Sequence, residues 1–511
     1  MAALDKDAPL QGGMLWLVAI MLAMANFIAV LDMTIANVSM ASIAGSLGIS
    51  ITQGTWVITS YAVAEAIIVP LTGWMAARFG AVRVFTTAMM LFGVFSAICG
   101  FSTTLSMLVA GRILQGLAGG ALMPLSQTLL QRIFPAHLKP AAMALWAMTT
   151  LTAPVLGLIL GGWICDNLSW PFAFFLNVPI ALLCAPIVGR MLARFEIARV
   201  KAPVDVIGLV LLVIFVGALQ IMLDTGKEHD WFASTQIRAL AAIAVIGFFA
   251  FLFWELTDEN PIVDLRVFRH RGFTASVITL SLGYGAMFAA NVVTPLWLQS
   301  FMGYTPSWAG ATTAWSAATA VFMAPIAGML MARKFDPRRM VFIALMWIGC
   351  VMLMRAVLTV DVTHWQISIP LMLMGLGLPF FFVPLTSLSL GSVDEKETAS
   401  AAGLQNFMRT MSGALATSLV TTLWDDEAAA THAQLAGMAD RSGEAMQTLT
   451  ASGMSQDAAL TQLNNMVQGQ SVMIATNHLM FLVALAFMIA ASVIWLAPRP
   501  TRAVDMSQAG H

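Results

Sequence analysis

Charge is scarce in this chain: Asp, Glu, Lys and Arg make up 10% of its 511 residues, where a soluble domain carries roughly a quarter. With 59% hydrophobic residues, so much apolar surface cannot be hidden from water inside one fold, and lipid must be the main solvent. A net charge of −1 gives no electrostatic footprint for nucleic acid. The four cysteines, Cys99, Cys165, Cys184 and Cys350, lie far apart without metal or redox spacing, which argues against a disulfide framework. No nucleophile stands beside a base, no histidines cluster, and no glycine loop is placed to cradle phosphate. Gly111 to Gly120 is glycine-rich but lies within an apolar helical run. Enzymatic activity, ATP-driven pumping, metal binding and a cofactor are therefore not expected. A sensor or scaffold would carry a soluble signalling domain, which is also missing.

What is present is a succession of apolar runs. About 20 residues span the hydrocarbon layer as a helix, and fourteen candidates occur, near 15–40, 53–75, 83–101, 105–131, 141–163, 171–192, 205–223, 237–256, 273–300, 307–331, 340–358, 366–390, 398–423 and 474–496. The polar start, Met1 to Gly13, precedes a run without a small-residue cleavage site, so it reads as leading into a first span rather than as a removable signal. An even count puts both termini on one side. Placing them in the cytoplasm assigns nineteen of the 25 basic residues to cytoplasmic segments, among them Lys6, Arg78, Arg83, Arg199, Lys201, Lys334 and Arg502. Only Lys227, Arg238, Arg355 and Arg441 are left outside, in accord with the positive-inside rule.

Two sequence patterns occur twice. Pro70, Gly73, Arg78 and Arg83 are echoed about 255 residues later by Pro325, Gly328, Lys334 and Arg338, and Gly116 with Pro124 about 260 residues later by Gly375 with Pro384. Two similar halves around a central cavity are a common transporter plan. The chain then divides into a six-helix lobe (1–200), two inserted helices (201–260), five helices of a second lobe (261–424), an outer loop (425–473) and a last helix with its tail (474–511). Within the outer loop, Asp440 to Gly443 and Ser452–Gly453 read as breaks between short helical pieces whose apolar positions Leu460, Leu463 and Val467 need a cover.

Several residues carry possible chemistry. In span 1, Ala25, Ala29, Asp32, Ala36 and Ser39 share one helical face. A lone carboxylate at bilayer depth needs water, a partner or a proton, so Asp32 is either a proton or cation site or a static hydrogen-bonded group. Glu65 stands mid-span 2, four residues after Tyr61, whose phenol could hydrogen-bond it; it is either a second proton acceptor or a neutral structural acid. Arg112 lies on a face of span 4 with Gln115 and Gly116. It cannot shed its proton and must find acceptors, in a coupling role or as glue between helices. Gln405, Asn406, Arg409 and Ser412 make a polar face on span 13, suited to substrate contact or to gating. Pro154, Gly157 and Gly161 line a face of span 5, as a lobe-to-lobe hinge or a simple packing groove. Phe380, Phe381 and Phe382 are candidates for a hydrophobic pocket.

The segments Val30 to Val38, Gln53 to Ser60, Gly111 to Gly116, Phe175 to Pro179 and Trp254 to Leu265 resemble the major facilitator superfamily, specifically its fourteen-helix drug:proton antiporters. The resemblance covers nearly the whole chain. It implies an all-α membrane fold of two six-helix lobes plus two inserted helices, and proton-coupled export of lipophilic compounds by alternating access across a cell inner membrane. It also implies a periplasmic adaptor of the membrane-fusion type joined to an outer-membrane channel. Asp32, Glu65 and Arg112 are the expected coupling residues; Gln115, Asn406, Arg409 and Phe381 are expected at the cavity or gate. Pro154, Gly157, Gly161, Gly73 and Arg78 are expected at the hinge and lobe interface. Three departures stand out: Ala77 replaces an acid of the loop motif, Leu158 replaces a proline after Gly157, and Met40–Ala41 stands where the first-span motif often has proline. A symporter or metabolite exporter of the same fold is the rival reading.

Overall fold

The computed structural model describes residues 12–135, 137–196, 204–333, 335–442 and 444–499. Lys6, Arg199, Lys201, Lys334 and Arg502 of the basic set lie outside the described residues, as do most of the polar N-terminal stretch and position 443. A backbone in lipid must satisfy its own polar groups, and the elements are accordingly helices. In chain order they are α1 (Gly12–Val38), α2 (Met40–Leu47), α3 (Ile51–Phe79), α4 (Ala81–Gly100), α5 (Leu105–Gly119), α6 (Leu122–Ile133), α7 (Lys139–Asn167), α8 (Pro171–Phe175) and α9 (Asn177–Leu192). The inserted pair is α10 (Val206–Thr225) and α11 (Thr235–Thr257). There follow α12 (Arg271–Ser300), α13 (Pro306–Ala332), α14 (Pro337–Arg355), α15 (His364–Gly391), α16 (Thr398–Ser442), α17 (Glu444–Ala451) and α18 (Gln456–Val493).

Among the described residues, 13 helical spans are long and apolar enough to cross a membrane. The expected span 13 is the beginning of α16, where Gln405, Asn406, Arg409 and Ser412 dilute the apolar character. Its packing inside the second lobe makes it the fourteenth. Starts and stops follow local chemistry. Ser50 and Gln53 close a reciprocal capping box at the head of α3, and Thr104 accepts from the Met107 N–H at the head of α5, each satisfying donors the helix leaves free.

The two lobes are built alike. In the first, α1 packs on α7, α3 on α5 and α4 on α9; in the second, α12 packs on α16, α13 on α15 and α14 on α18. The repeated sequence pairs fall on equivalent helices: Pro70 and Gly73 on α3 against Pro325 and Gly328 on α13, Gly116 and Pro124 on α5–α6 against Gly375 and Pro384 on α15. The lobes meet along two equivalent seams, α3 with α16 and α7 with α13. The inserted α10 packs on α3 and α16 and carries α11 on its outside, so the extra pair flanks one seam.

The seams are tight at the end of the bundle where Arg78, Arg83, Arg132, Lys139, Arg190 and Arg333 sit, here called the basic end. Gly73 lies against Ser400, so a Cβ at 73 would stand 2.6 Å from the Ser400 Cα; one at Gly403 would stand 3.0 Å from the Val69 carbonyl. On the other seam Gly328 faces Ala144 and Pro140. Gly73 thus sits at the lobe interface. Arg78 lies over Trp74 and Phe79 on its own helix, 5.6 and 5.8 Å from the ring centres.

Two expectations are corrected. Gly157 and Gly161 do not face the other lobe: they bring α7 against Thr34 and Val38 of α1, inside the first lobe. The side of α7 turned to the second lobe carries Leu158 and Ile159 instead, against Gly310. The stripe with Pro154 is therefore a packing groove. Residues 425–473 do break near Ser442 and at Ser452–Gly453, with the short α17 between, but the rest is not a loop. Helix α16 runs on to Ser442 and α18 begins at Gln456, with α17 between them, so the two last spans continue beyond the bundle as a helical hairpin. Leu460 is exposed and Leu463 and Val467 are half-buried.

Because Gly73 leaves no room for a side chain, Gly73→Val should hold α3 and α16 apart. Alkylation of a cysteine introduced at the buried Val69, with reagent supplied at the basic end, is expected to quicken several-fold over the same cysteine with Gly73 intact. An unchanged rate would count against the close packing.

Candidate functional site

Five spans of the first lobe converge on one carboxylate. Asp32 of α1 is 1% exposed. Its Oδ2 accepts from Arg112 Nη1 at 2.5 Å, and its Oδ1 from Gln115 Nε2 at 3.0 Å and Asn177 Nδ2 at 2.7 Å. Gln115 and Asn177 each also donate to Ser96 Oγ at 3.1 Å, and that hydroxyl donates to the Phe174 carbonyl. Arg112, fully buried, donates Nε to the Val57 carbonyl at 3.1 Å and Nη1 to Gln115 Oε1 at 2.9 Å. Its guanidinium lies 4.1 Å from the centre of the Tyr61 ring, an arrangement that stabilises a desolvated cation. Among the described residues its Nη2 has no hydrogen-bond partner.

A second constellation lies where α16 meets α6 and α7 of the other lobe. Arg409 of α16 lies 5.5 Å from the Trp146 ring of α7 and 5.3 Å from the Tyr284 ring of α12, and points Nη2 at Met123 Sδ. Asn406 Nδ2 donates to Gln127 Oε1 across the lobes at 2.6 Å. Arg409 forms no ion pair among the described residues, and its Nε is bare. Glu65, buried on α3, feels the charges of both Arg409 and Arg112, and no ion pair reaches it among the described residues. The buried set therefore holds two obligate cations, one paired carboxylate and one unpaired acid. Ionised Glu65 makes the set neutral, and a proton on Glu65 leaves it one charge positive.

Asp32, Arg112 and Gln115 come together; Asn406 and Arg409 share a face of α16 turned to the first lobe, and Arg409 is near enough to act on Glu65 through its charge. Two expectations fail here. The Tyr61 hydroxyl has no partner among the described residues; its ring is taken up beneath Arg112. Phe381 is buried against Gly283 and Leu345 within the second lobe, so it is core; Phe382 is the ring that reaches Tyr284, at 6.2 Å. Asn177, Ser96, Trp146, Gln127 and Tyr284 were not foreseen. Asn177 alone left a trace, as the polar residue of Phe175 to Pro179. At the basic end His270, Asp394 and Glu397 approach one another, but Glu397 is already engaged by Arg269 at 2.6 Å and His270 at 2.9 Å.

The profile of the Major Facilitator Superfamily matches residues 22–417. The chain belongs to that superfamily. Relatives resemble this superfamily member over almost its whole length. The multidrug export protein EmrB of Haemophilus influenzae is 40% identical over 500 residues, 97% of this chain and 98% of that one. EmrB of Escherichia coli is 39% identical over 502 residues, again 97% and 98%. The fatty acid resistance protein FarB of Neisseria gonorrhoeae is 40% identical over 496 residues, 96% and 98%. Among solved structures, the proton:xylose symporter XylE bound to 6-bromo-6-deoxy-D-glucose aligns with a TM-score of 0.58 at 12% identity, over 95% of this chain and 96% of its own. The human organic anion transporter MFSD10 gives 0.56 at 13%, over 93% and 100%. At such identities these two speak for the fold alone, which is the facilitator fold of a multi-pass membrane transporter.

The Asp32–Arg112 pair predicts a non-additive pattern of stability. Asp32→Asn keeps hydrogen-bonding atoms but strands a buried guanidinium, and Arg112→Gln strands a buried carboxylate; losing one partner of such a pair costs about 3–5 kcal/mol. The double variant should regain part of that loss in thermal unfolding of the detergent-solubilised protein. Losses that simply add would show that the two groups do not act as a pair.

Proposed function

We propose that this chain exports lipophilic toxic compounds from the cytoplasm across a cell inner membrane in exchange for protons. The observation that carries the reading is the buried Asp32–Arg112 pair one helix away from the unpaired Glu65, in a chain about 40% identical along its length to proteins named for multidrug export. The positive-inside rule supports cytoplasmic termini, because the basic end carries most of the Lys and Arg.

In the proposed cycle the two lobes rock about the seams. Closure at the basic end, with Gly73 on Ser400 and Gln127 on Asn406, corresponds to the arm of the cycle that faces away from the cytoplasm. A proton reaching Asp32 removes the charge that holds Arg112. The freed guanidinium, whose Nη2 is already bare, is then drawn to Glu65 on the neighbouring helix. Arg112 would thus exchange one carboxylate for another and couple protonation to the position of α3, which forms the seam with α16. Proton influx supplies about 2.3 kcal/mol per charge for each 100 mV of potential. Substrate would meet Arg409, Trp146, Tyr284 and Asn406 where the seam opens. Gln115 acts on Asp32 and not on substrate.

The hairpin of α16 to α18 is the proposed seat of a periplasmic adaptor of the membrane-fusion type, which would pass the compound to an outer-membrane channel. Its exposed Met438, Leu460 and Met466 support that partnership.

Dye efflux in cells lacking other exporters tests the coupling. The intact chain should extrude dye, and collapsing the proton gradient should abolish this. Asp32→Asn should lower the rate by at least tenfold at equal expression. Extrusion indifferent to both treatments would end the proton-exchange reading while leaving the fold unaffected.

A further inference from the structure

The Asp32 network ties together α1, α3, α4, α5 and α9, while α7 stands outside it among the described residues. Yet α7 carries Trp146, the largest of the fully buried side chains described, at 1% exposed, and this tryptophan is held from both ends. Its indole Nε1 donates to Ser126 Oγ of α6 at 3.0 Å, and that hydroxyl donates to the Met123 carbonyl at 2.7 Å. Its own carbonyl accepts from the hydroxyls of Thr149 and Thr150, at 2.8 and 3.2 Å. Asn26 of α1, fully buried, donates Nδ2 to those two hydroxyls at 2.9 and 2.8 Å. One turn of α7 is thus fastened to two neighbouring helices.

Hydroxyls that bond back to helix carbonyls weaken and bend a helix slightly, and a buried amide is tolerated only where partners meet it. What this outlay secures is the plane of one ring. That ring lies under the Arg409 guanidinium of the second lobe, 5.5 Å from its centre. A cation is attracted to the face of an aromatic ring and repelled by its positive edge, so the contact depends on how the ring is held. The other ring beside Arg409, Tyr284 at 5.3 Å, belongs to α12 and is stacked on Phe288 of the same helix at 5.4 Å. Tyr284 and Arg409 therefore travel together when the lobes part, and Trp146 is left behind. Because Trp146 is uncharged, its separation from Arg409 strands no charge in the first lobe.

We propose that Trp146 is the first-lobe seat of Arg409 in the state closed at the basic end, and that Asn26 and Ser126 are positioning residues that keep the face of its ring toward that cation. This role presupposes the rocking of two lobes proposed above. Seating Arg409 favours closure, and the seat empties when the basic end opens. Any change that turns the ring edge-on or removes it shifts the balance toward the state open at that end. Asn26 stands six residues before Asp32 on the same helix, so α1 bears both the carboxylate of the Asp32 network and the hold on Trp146. A movement of α1 as Arg112 changes partner would carry the seat with it. The two constellations, which share no hydrogen bond among the described residues, are joined in this way through one rigid helix.

The test uses the full-length protein in lipid nanodiscs with Val69→Cys on α3, away from Trp146, and reads the alkylation rate with reagent supplied at the basic end. Asn26→Leu keeps the volume but loses the donor, Ser126→Ala leaves the indole N–H unheld, and Trp146→Leu removes the ring; each is expected to quicken alkylation several-fold. Trp146→Phe, which keeps a ring but has no N–H to hold, should fall between, and Ser126→Ala should add nothing to it. The deciding comparison is made in Arg409→Gln. With no cation to seat, Asn26→Leu and Ser126→Ala should no longer alter the rate, a dependence that packing alone does not produce. Should Asn26→Leu fail to fold, Ser126→Ala carries the same comparison. A rate that Trp146→Leu leaves unchanged, or an effect of Asn26→Leu or Ser126→Ala equally large with and without Arg409, overturns the assignment. Alkylation needs no transport: proton-independent dye efflux beside this pattern would end the exchange reading alone, and a failed pattern beside proton-driven efflux would end the seat alone.

Discussion

An arginine cannot give up its proton, and in the interior of a membrane protein it cannot stay unsolvated. That constraint, applied to Arg112, organises the first lobe. Asp32 on α1 supplies the counter-charge, the Val57 carbonyl on α3 an acceptor, Gln115 on its own helix a bridge, and Tyr61 a π-face. Ser96 of α4 and Asn177 of α9 then complete the shell around Asp32. Five spans are thus fixed relative to one another by one cation. A polar network of this kind is stable only while all its members are satisfied, and it is strongly disturbed when one changes protonation state. The network that holds the lobe together is consequently also the one most sensitive to a proton.

The two lobes obey the same packing rules because they carry the same sequence pattern. Glycines recur where α3 and α13 each press against the opposite lobe, and in both places the neighbour is backbone or a small side chain. Close approach needs no charged latch, and this accounts for a seam that tolerates Ala77 where the superfamily's loop motif carries an acid. Nearby, Glu196 meets the start of α4, accepting from the Val82 and Arg83 N–H groups at 3.1 Å each. An acid thus does stand at this turn, supplied from elsewhere in the chain, where it complements the positive end of a helix.

Much of the architecture was legible because its signals are one-dimensional. Span positions follow from runs of apolar residues, the repeat from spacing, and the importance of Asp32 and Arg112 from the cost of charge at depth. What remained hidden depends on which neighbour a face meets. The small residues at 154, 157 and 161 announce a close approach without naming α1 as the partner. Three successive phenylalanines on α15 give no clue to which ring turns toward Tyr284. Tyr61 was spaced to bond Glu65 along its helix, but a cation from another helix offered its ring a stronger partner. The hairpin was obscured for another reason: helical hydrogen bonds are local, so α16 and α18 continue past the last lipid-facing residue, and polar composition there resembles that of a loop.

That continuity has a mechanical meaning. At about 1.5 Å per residue, the 45 residues of α16 form a rod roughly 68 Å long, one piece from the basic end of the seam to the tip of the hairpin. A tilt on the order of 10° would sweep that tip through about 12 Å. Whatever rests on the hairpin would feel each stroke of the second lobe as a displacement far larger than any movement within the bilayer.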